Sequence, residues 1–288
     1  MIFSYIYALL SALFESLKDV SSKMGLKDMD EYLVTWAFGF FALPFLALPF
    51  LFISIPSLGS QYWIALLIDG AFNVIATILQ LKAIKSSDLS ITVPLLAFTP
   101  LFLLIMSPLI LGQFPTLLGI FGVILIVIGS YVLNIQRRNA GYLAPFKAML
   151  EHRGPRLMLY AAFLLSITSS VDKIGVLNSS PIFWALSVHT FTSVTLAPVI
   201  IREFNHHIKL TRMDIRILFA VGLFSALAII TQYIAITTIL VPYVIAIKRT
   251  STIMSVLFGY LIFKEKGIKG RIVGAAIMVL GVILITLS

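Results

Sequence analysis

VPYVIAIKRTSTIMSVLFGYLIFKEK occupies residues 241–266. The run is long enough to cross a bilayer, since about 20 residues rising 1.5 Å each cover roughly 30 Å of hydrocarbon. Lys248 and Arg249 nevertheless stand side by side within it. An ionisable side chain at the centre of a membrane helix costs roughly 2.5 to 3.5 kcal/mol on insertion scales. A chain tolerates that cost where the charges face a watery cavity, a counter-ion or a substrate. The run closes on Phe263-Lys264-Glu265-Lys266, a charged stop suited to the interface.

The rest of the chain is built the same way. Its 288 residues are 60% hydrophobic and only 11% charged, with a mean hydropathy of +1.05, whereas soluble domains carry about 25% charged residues. Read at bilayer length, the sequence predicts ten spans: 3–24, 32–54, 61–83, 89–111, 115–135, 156–177, 181–202, 213–236, 240–262 and 268–287. The fold class expected is all-α integral membrane. Residues 2–14 have no basic flank before them and no small-residue cleavage site after them, so they read as a retained first helix. The net charge of +9 does not point to nucleic acid, because the basic residues form short flanks between apolar runs. With no cysteine and four histidines, two of them adjacent at His206-His207, neither a cofactor nor a metal site is expected.

The polar stretch 136–155 divides the spans into two groups of five, giving a first repeat 1–135, a connecting loop 136–155 and a second repeat 156–288. At an offset of 152 residues Gln80 meets Gln232, Ala83 meets Ala235, Gly122 meets Gly274 and Gly129 meets Gly281. At an offset of 150, Lys23 and Gly25 meet Lys173 and Gly175. Glycine and polar matches in one register are harder to obtain by chance than apolar ones.

All but four of the 21 lysines and arginines fall in the odd-numbered connections between spans. The positive-inside rule puts those connections in the cytoplasm and both termini outside. Because each repeat has an odd number of spans, the two must enter the membrane in opposite senses. Equivalent loops differ in charge accordingly: residues 111–116 are uncharged, and their counterpart after Phe263 is basic. An inverted five-helix repeat is an architecture of secondary transporters.

The four basic residues left within spans, away from these connections and the span ends beside them, are Lys18, Lys173, Lys248 and Arg249. Glu15, Lys18, Asp19 and Lys23 lie along one face of the first span. Glu15–Lys18 and Asp19–Lys23 pairs would neutralise one another; alternatively Glu15 or Asp19 takes and releases a transported proton. Lys248 and Arg249 are about 100° apart around a helix, so they cannot point the same way. One reading pairs them with Glu15 or Asp19, and another makes them an anion site, arginine suiting a bidentate contact and lysine a point charge. Asp69, Asn73 and Gln80 form a polar stripe on the third span and Ser166, Ser169, Ser170 and Lys173 another on the sixth, with Asp172 beside it. Gln232, Tyr233 and His189 complete the candidates for a cavity wall. Pro94, Pro100, Pro108 and Pro242 suggest kinks in the fourth and ninth spans. Gly122, Gly129, Gly270, Gly274 and Gly281 read as close helix packing.

Leu261-Ile262-Phe263-Lys264-Glu265-Lys266 followed by Gly274 and Gly281, echoed by Leu111-Gly112-Gln113, Gly122 and Gly129, resembles the repeat-closing signature of the EamA-type drug/metabolite transporter superfamily. Gln113 departs from the acidic residue expected there. The resemblance covers the whole chain. It implies an inverted-repeat carrier whose cavity is formed by spans 1, 3, 4, 6, 8 and 9. Lys248-Arg249, with Ser255, is similar to the Lys-Arg pair by which plastid phosphate translocators of this superfamily hold phosphate. Relatives are usually drawn with cytoplasmic termini, opposite to the sense given by the loop charges here.

The expectation is therefore a gradient-driven exporter or exchanger of a small polar or anionic metabolite in a bacterial or archaeal plasma membrane. Its partners would be the metabolite, the lipid bilayer and protons, and it would act as a monomer or homodimer. The competing reading is an integral-membrane enzyme or assembly protein acting on lipid-linked substrates, for which the chain offers no nucleophile, metal ligands or interfacial acid–base pair.

Overall fold

In a computed structural model of the chain, the residues described are 2–25, 31–86, 93–134, 152–203, 211–263 and 272–288. Most of the 136–155 connection, the basic clusters after Gly25, Glu203 and Phe263, and Gly270 lie outside them. The α-helices are α1 (Ile2–Gly25), α2 (Glu31–Phe40), α3 (Leu43–Ala47), α4 (Tyr62–Ser86), α5 (Thr99–Leu111), α6 (Leu117–Asn134), α7 (Arg153–Leu177), α8 (Pro181–Glu203), α9 (Arg212–Thr238), α10 (Val241–Lys248), α11 (Ser251–Phe263) and α12 (Ile272–Thr286). No strand occurs among the described residues.

Three of the ten expected spans are broken. The second runs as α2, α3 and a 3-10 turn Leu48–Leu51, with Pro44 and Pro49 each opening a new piece. The fourth begins as a 3-10 turn, Val93–Phe98, and continues as α5 with Pro100 in its first turn. In both, a proline that has no N–H to donate to the preceding turn resets the chain. The ninth breaks without a proline. Pro242 sits in the first turn of α10, where its missing N–H is no loss, so it starts a helix instead of kinking one. The break lies at Arg249-Thr250: the Thr250 and Thr252 hydroxyls donate to the carbonyls of Ile247 and Arg249 at 2.7 and 2.8 Å, and backbone bonds tighten to a three-residue step. At the offset of 152, the α10–α11 break coincides with the passage from the 3-10 turn into α5.

Burial is inverted relative to a water-soluble protein. Leu51, Phe52, Trp63, Leu67, Leu109 and Phe121 are exposed, whereas Ser11, Ser16, Asp69, Ser166, Ser170 and Gln232 are buried. Among the described residues, five segments are long and apolar enough to cross a membrane: Tyr62–Ser86, Arg153–Leu177, Pro181–Val199, Arg212–Thr238 and Val241–Ile262. Shorter apolar helices make up much of the remainder. Helix α1 carries Glu15, Lys18, Asp19 and Lys23 in its second half.

The repeat is visible in how helices pair. The most extensive contacts join α1 to α9, α4 to α7, and α6 to α12, that is, span 1 with 8, 3 with 6, and 5 with 10. Exchanging the repeats turns the first pair into the second and the third into itself. All three pairs are antiparallel. Ser4 bonds Thr238 and Ser11 bonds the Ala228 carbonyl; the residues before α4 bond Asn178 at the end of α7. In α6–α12, a Cβ on Gly122 would meet the Gly281 carbonyl at 2.7 Å and one on Gly129 would meet that of Gly274 at 2.6 Å. Each glycine thus faces the repeat counterpart of the other. Equivalent helices can pair antiparallel in this way only about a twofold axis perpendicular to them, which is the inverted repeat. The helix-packing reading of Gly122, Gly129, Gly274 and Gly281 holds.

Candidate substrate site

Helices α1, α9, α10 and α11 carry one polar cluster, and α5 reaches it from the side. The acid Glu15 sits at its centre with an ammonium on each oxygen: Lys18 Nζ lies 2.5 Å from Oε1 and Lys248 Nζ lies 3.3 Å from Oε2. Lys18 is one turn along α1, so the first contact follows from helix geometry alone. Its ammonium also lies 3.9 Å from Asp19 Oδ1 and 4.7 Å from the centroid of the Phe38 ring of α2. Lys248 donates in addition to Gln232 Oε1 at 2.8 Å. Asp19, whose side chain is 48% exposed, is the open member of the group and accepts from the Ser255 hydroxyl at 3.4 Å.

Arg249 points elsewhere, as the 100° step between neighbours demands. One terminal nitrogen donates to Thr99 Oγ1, at the start of α5, at 3.2 Å. Its Nε is buried without a hydrogen-bond partner. The cluster therefore joins the broken fourth and ninth spans, with Thr99 at the break in one and Arg249 at the break in the other. It sets three cations, Lys18, Lys248 and Arg249, against two carboxylates. The group thus holds an unpaired donor and an excess of positive charge among the described residues, in a low-dielectric interior.

A second cluster lies where α4 meets α7. Asp172 Oδ1 accepts from Trp184 Nε1 of α8 at 2.8 Å and from the Tyr233 hydroxyl of α9 at 2.6 Å. Asn73 donates to Asp69 Oδ2 at 3.0 Å, and Asp69 Oδ1 is buried with no partner.

The structure thus gathers Glu15, Lys18, Asp19, Lys248, Arg249 and Gln232 in one place. Asn73 belongs to the second cluster. Gln80 is half-buried on α4 and makes no side-chain hydrogen bond with the described residues. The serine stripe of the sixth span is turned inward on its own helix: Ser166 and Ser170 donate to the carbonyls of Phe163 and Ser166. Lys173 donates to the Ile239 carbonyl at 3.2 Å, tying α7 to the turn between α9 and α10. His189 is half-buried, with a buried, unpartnered Nδ1. Sequence reasoning missed Trp184 and Thr99. An indole N–H and a hydroxyl in an apolar helix each need an acceptor or a donor, and that need was the signal available.

A chain of paired antiparallel helices related by an in-plane twofold, with two charged residues at the break of one span and a hydroxyl at the break of its repeat counterpart, is a membrane protein of the inverted-repeat class. It matches the EamA-like transporter family over residues 2–135 and 152–287, once for each repeat. The chain belongs to that family. A protein of known crystal structure superposes with a TM-score of 0.78 over 100% of this chain and 97% of its own, at 14% sequence identity, a likeness that shows the fold alone. No curated protein matches the sequence.

Proposed function

We propose that this chain is a secondary transporter, an exporter or exchanger, that moves a small polar or anionic metabolite by alternating access. The observation that carries the reading is Arg249, whose Nε is buried without an acceptor and whose charge gives the cluster one more cation than anion among the described residues. Arginine's planar fork suits a carboxylate or phosphate oxygen, and Lys248 supplies a point charge next to it. An arriving anion would compete with Glu15 for Lys248. Glu15, and Asp19 at the exposed edge, are then the carboxylates that would take up a proton as that contact is exchanged. The breaks in the fourth and ninth spans give the halves places to rock about a site near the midplane, as discontinuous helices do in other inverted-repeat carriers.

The test is counterflow in proteoliposomes loaded with a mixed pool of phosphorylated and carboxylated metabolites, wild type beside Lys248→Ala/Arg249→Ala. Uptake by wild type that the double variant loses supports the anion site. Equal transport of a neutral or cationic compound by both proteins makes the pair structural and the substrate class wrong.

A further inference from the structure

We propose that Asp69 and Asp172 form a proton-binding site, separate from the Lys248–Arg249 cluster, in which Asp69 carries the proton. Asp69 is completely buried and Asp172 is 5% exposed. They come from facing helices, α4 and α7, and are close enough to act on each other electrostatically; both also act on the Tyr233 phenol. Among the described residues neither forms an ion pair.

Two carboxylates that share a buried site without a cation cannot both ionise. Their hydrogen bonds decide which one keeps the charge. Asp172 Oδ1 receives two donors, the Trp184 indole and the Tyr233 hydroxyl. Asp69 receives one amide N–H, at Oδ2, from Asn73, and its Oδ1 receives none. The charge rests on Asp172, and the unpartnered Oδ1 of Asp69 is where the proton sits. Groups on the surrounding elements leave that assignment in place. Tyr233 and Tyr62 are neutral donors, Tyr62 being spent on Ser187; Lys173 is tied to the Ile239 carbonyl. His189 on α8 is half-buried, and its buried Nδ1 bonds neither acid. Lys248 is the cation whose field reaches Asp172, yet its ammonium is held by Glu15 and Gln232. The donor set also disfavours a metal ion, since the described residues hold no group of three acidic or histidine ligands.

A proton stored here would be released when Asp69 meets water, which stabilises a second charge, as helices α4 and α7 shift. That release as part of a transport cycle rests on the proposed function; the proton itself does not. Infrared pH titration of the purified full-length chain in lipid nanodiscs, in H2O and D2O and without substrate, tests it. Wild type at neutral pH should show a protonated-carboxyl stretch that shifts in D2O and is lost in Asp69→Asn. In Asp172→Asn the same band should bleach at lower pH, the proton affinity falling tenfold or more as the neighbouring charge disappears. If Asp69→Asn does not accumulate, the shift in Asp172→Asn carries the test. A wild type without the band, a band unmoved by either substitution, or a band removed by sodium at constant pH would each overturn the proposal. A transport assay that finds no cargo counts against the proposed function while leaving this band to be read on its own.

Discussion

Gln232 and Tyr233 are consecutive on α9 and serve opposite clusters: the Gln232 amide oxygen accepts from Lys248 at 2.8 Å, and the Tyr233 hydroxyl donates to Asp172 at 2.6 Å. The 100° step of the helix turns one side chain toward the basic group and the next toward the acidic one. A rotation or slide of α9 against its neighbours would therefore strain both contacts together. This gives a physical route by which the basic cluster and the acid pair sense each other.

Tyr233→Phe removes the hydroxyl and leaves the ring. It should lower stability by about 1–3 kcal/mol, the cost of leaving a buried carboxylate oxygen short of a donor. Gln232→Leu should instead weaken the hold on Lys248 and leave the Trp184–Asp172 contact as it is. Thermal unfolding in detergent separates the two, with Trp184 fluorescence in a Trp36→Phe/Trp63→Phe background reporting on Asp172.

Glu15→Gln strips the shared counter-ion from Lys18 and Lys248 and should destabilise the protein by about 3–5 kcal/mol. Adding Lys248→Met should recover a large part of that loss, because it removes a stranded charge. A double-mutant cycle reads this directly, and additive losses would show that Glu15 does not bridge the two lysines.

Arg249→Met tests whether the guanidinium is kept for stability or for cargo. The side chain makes one hydrogen bond and buries an unpartnered Nε, so an apolar replacement of similar length should leave the melting temperature unchanged or raise it. Counterflow should be abolished in the same protein. A marked drop in melting temperature would make Arg249 a structural residue.

Gly274→Ala would bring a methyl to 2.7 Å from the Gly129 carbonyl and 2.8 Å from the Leu133 nitrogen. It should cost about 1–3 kcal/mol, with larger side chains costing more. Gly112 differs: nothing lies within 4 Å of its added Cβ, but its φ is +64°. Gly112→Ala should cost about 1–2 kcal/mol from backbone conformation alone, and Gly112→Asn should recover part of it. Melting curves of the three variants tell crowding from strain.

The spans and their inverted duplication were legible because hydropathy, loop charge and glycine register each report on the membrane separately. The Glu15–Lys18 contact followed from spacing, and the divergence of Lys248 and Arg249 from the helical step. The break in the ninth span was not legible. Proline is the usual mark of such a break, and here two threonine hydroxyls do the work while Pro242 merely begins a helix. The acid pair was hidden for a different reason. Asp69, Asp172, Trp184 and Tyr233 stand on four helices, so only the packing of α4, α7, α8 and α9 brings them together. The stripe of the third span does place Asn73 beside Asp69, to which it donates, but gives no sign that the stripe faces the second cluster and not the basic one.

The glycine contact between α6 and α12 is made by two versions of one surface, each inverted against the other. A five-helix chain bearing that surface could associate with an upside-down copy of itself, but only if it inserted in both orientations. That freedom requires loops of balanced charge. In this chain the connection at 111–116 is uncharged and the one after Phe263 is basic, so each half is committed to a single orientation. The two halves are no longer interchangeable subunits, and the chemistry differs between the seams: the α1–α9 side holds two acids among a surplus of cations, and the α4–α7 seam holds two acids with no ion pair among the described residues.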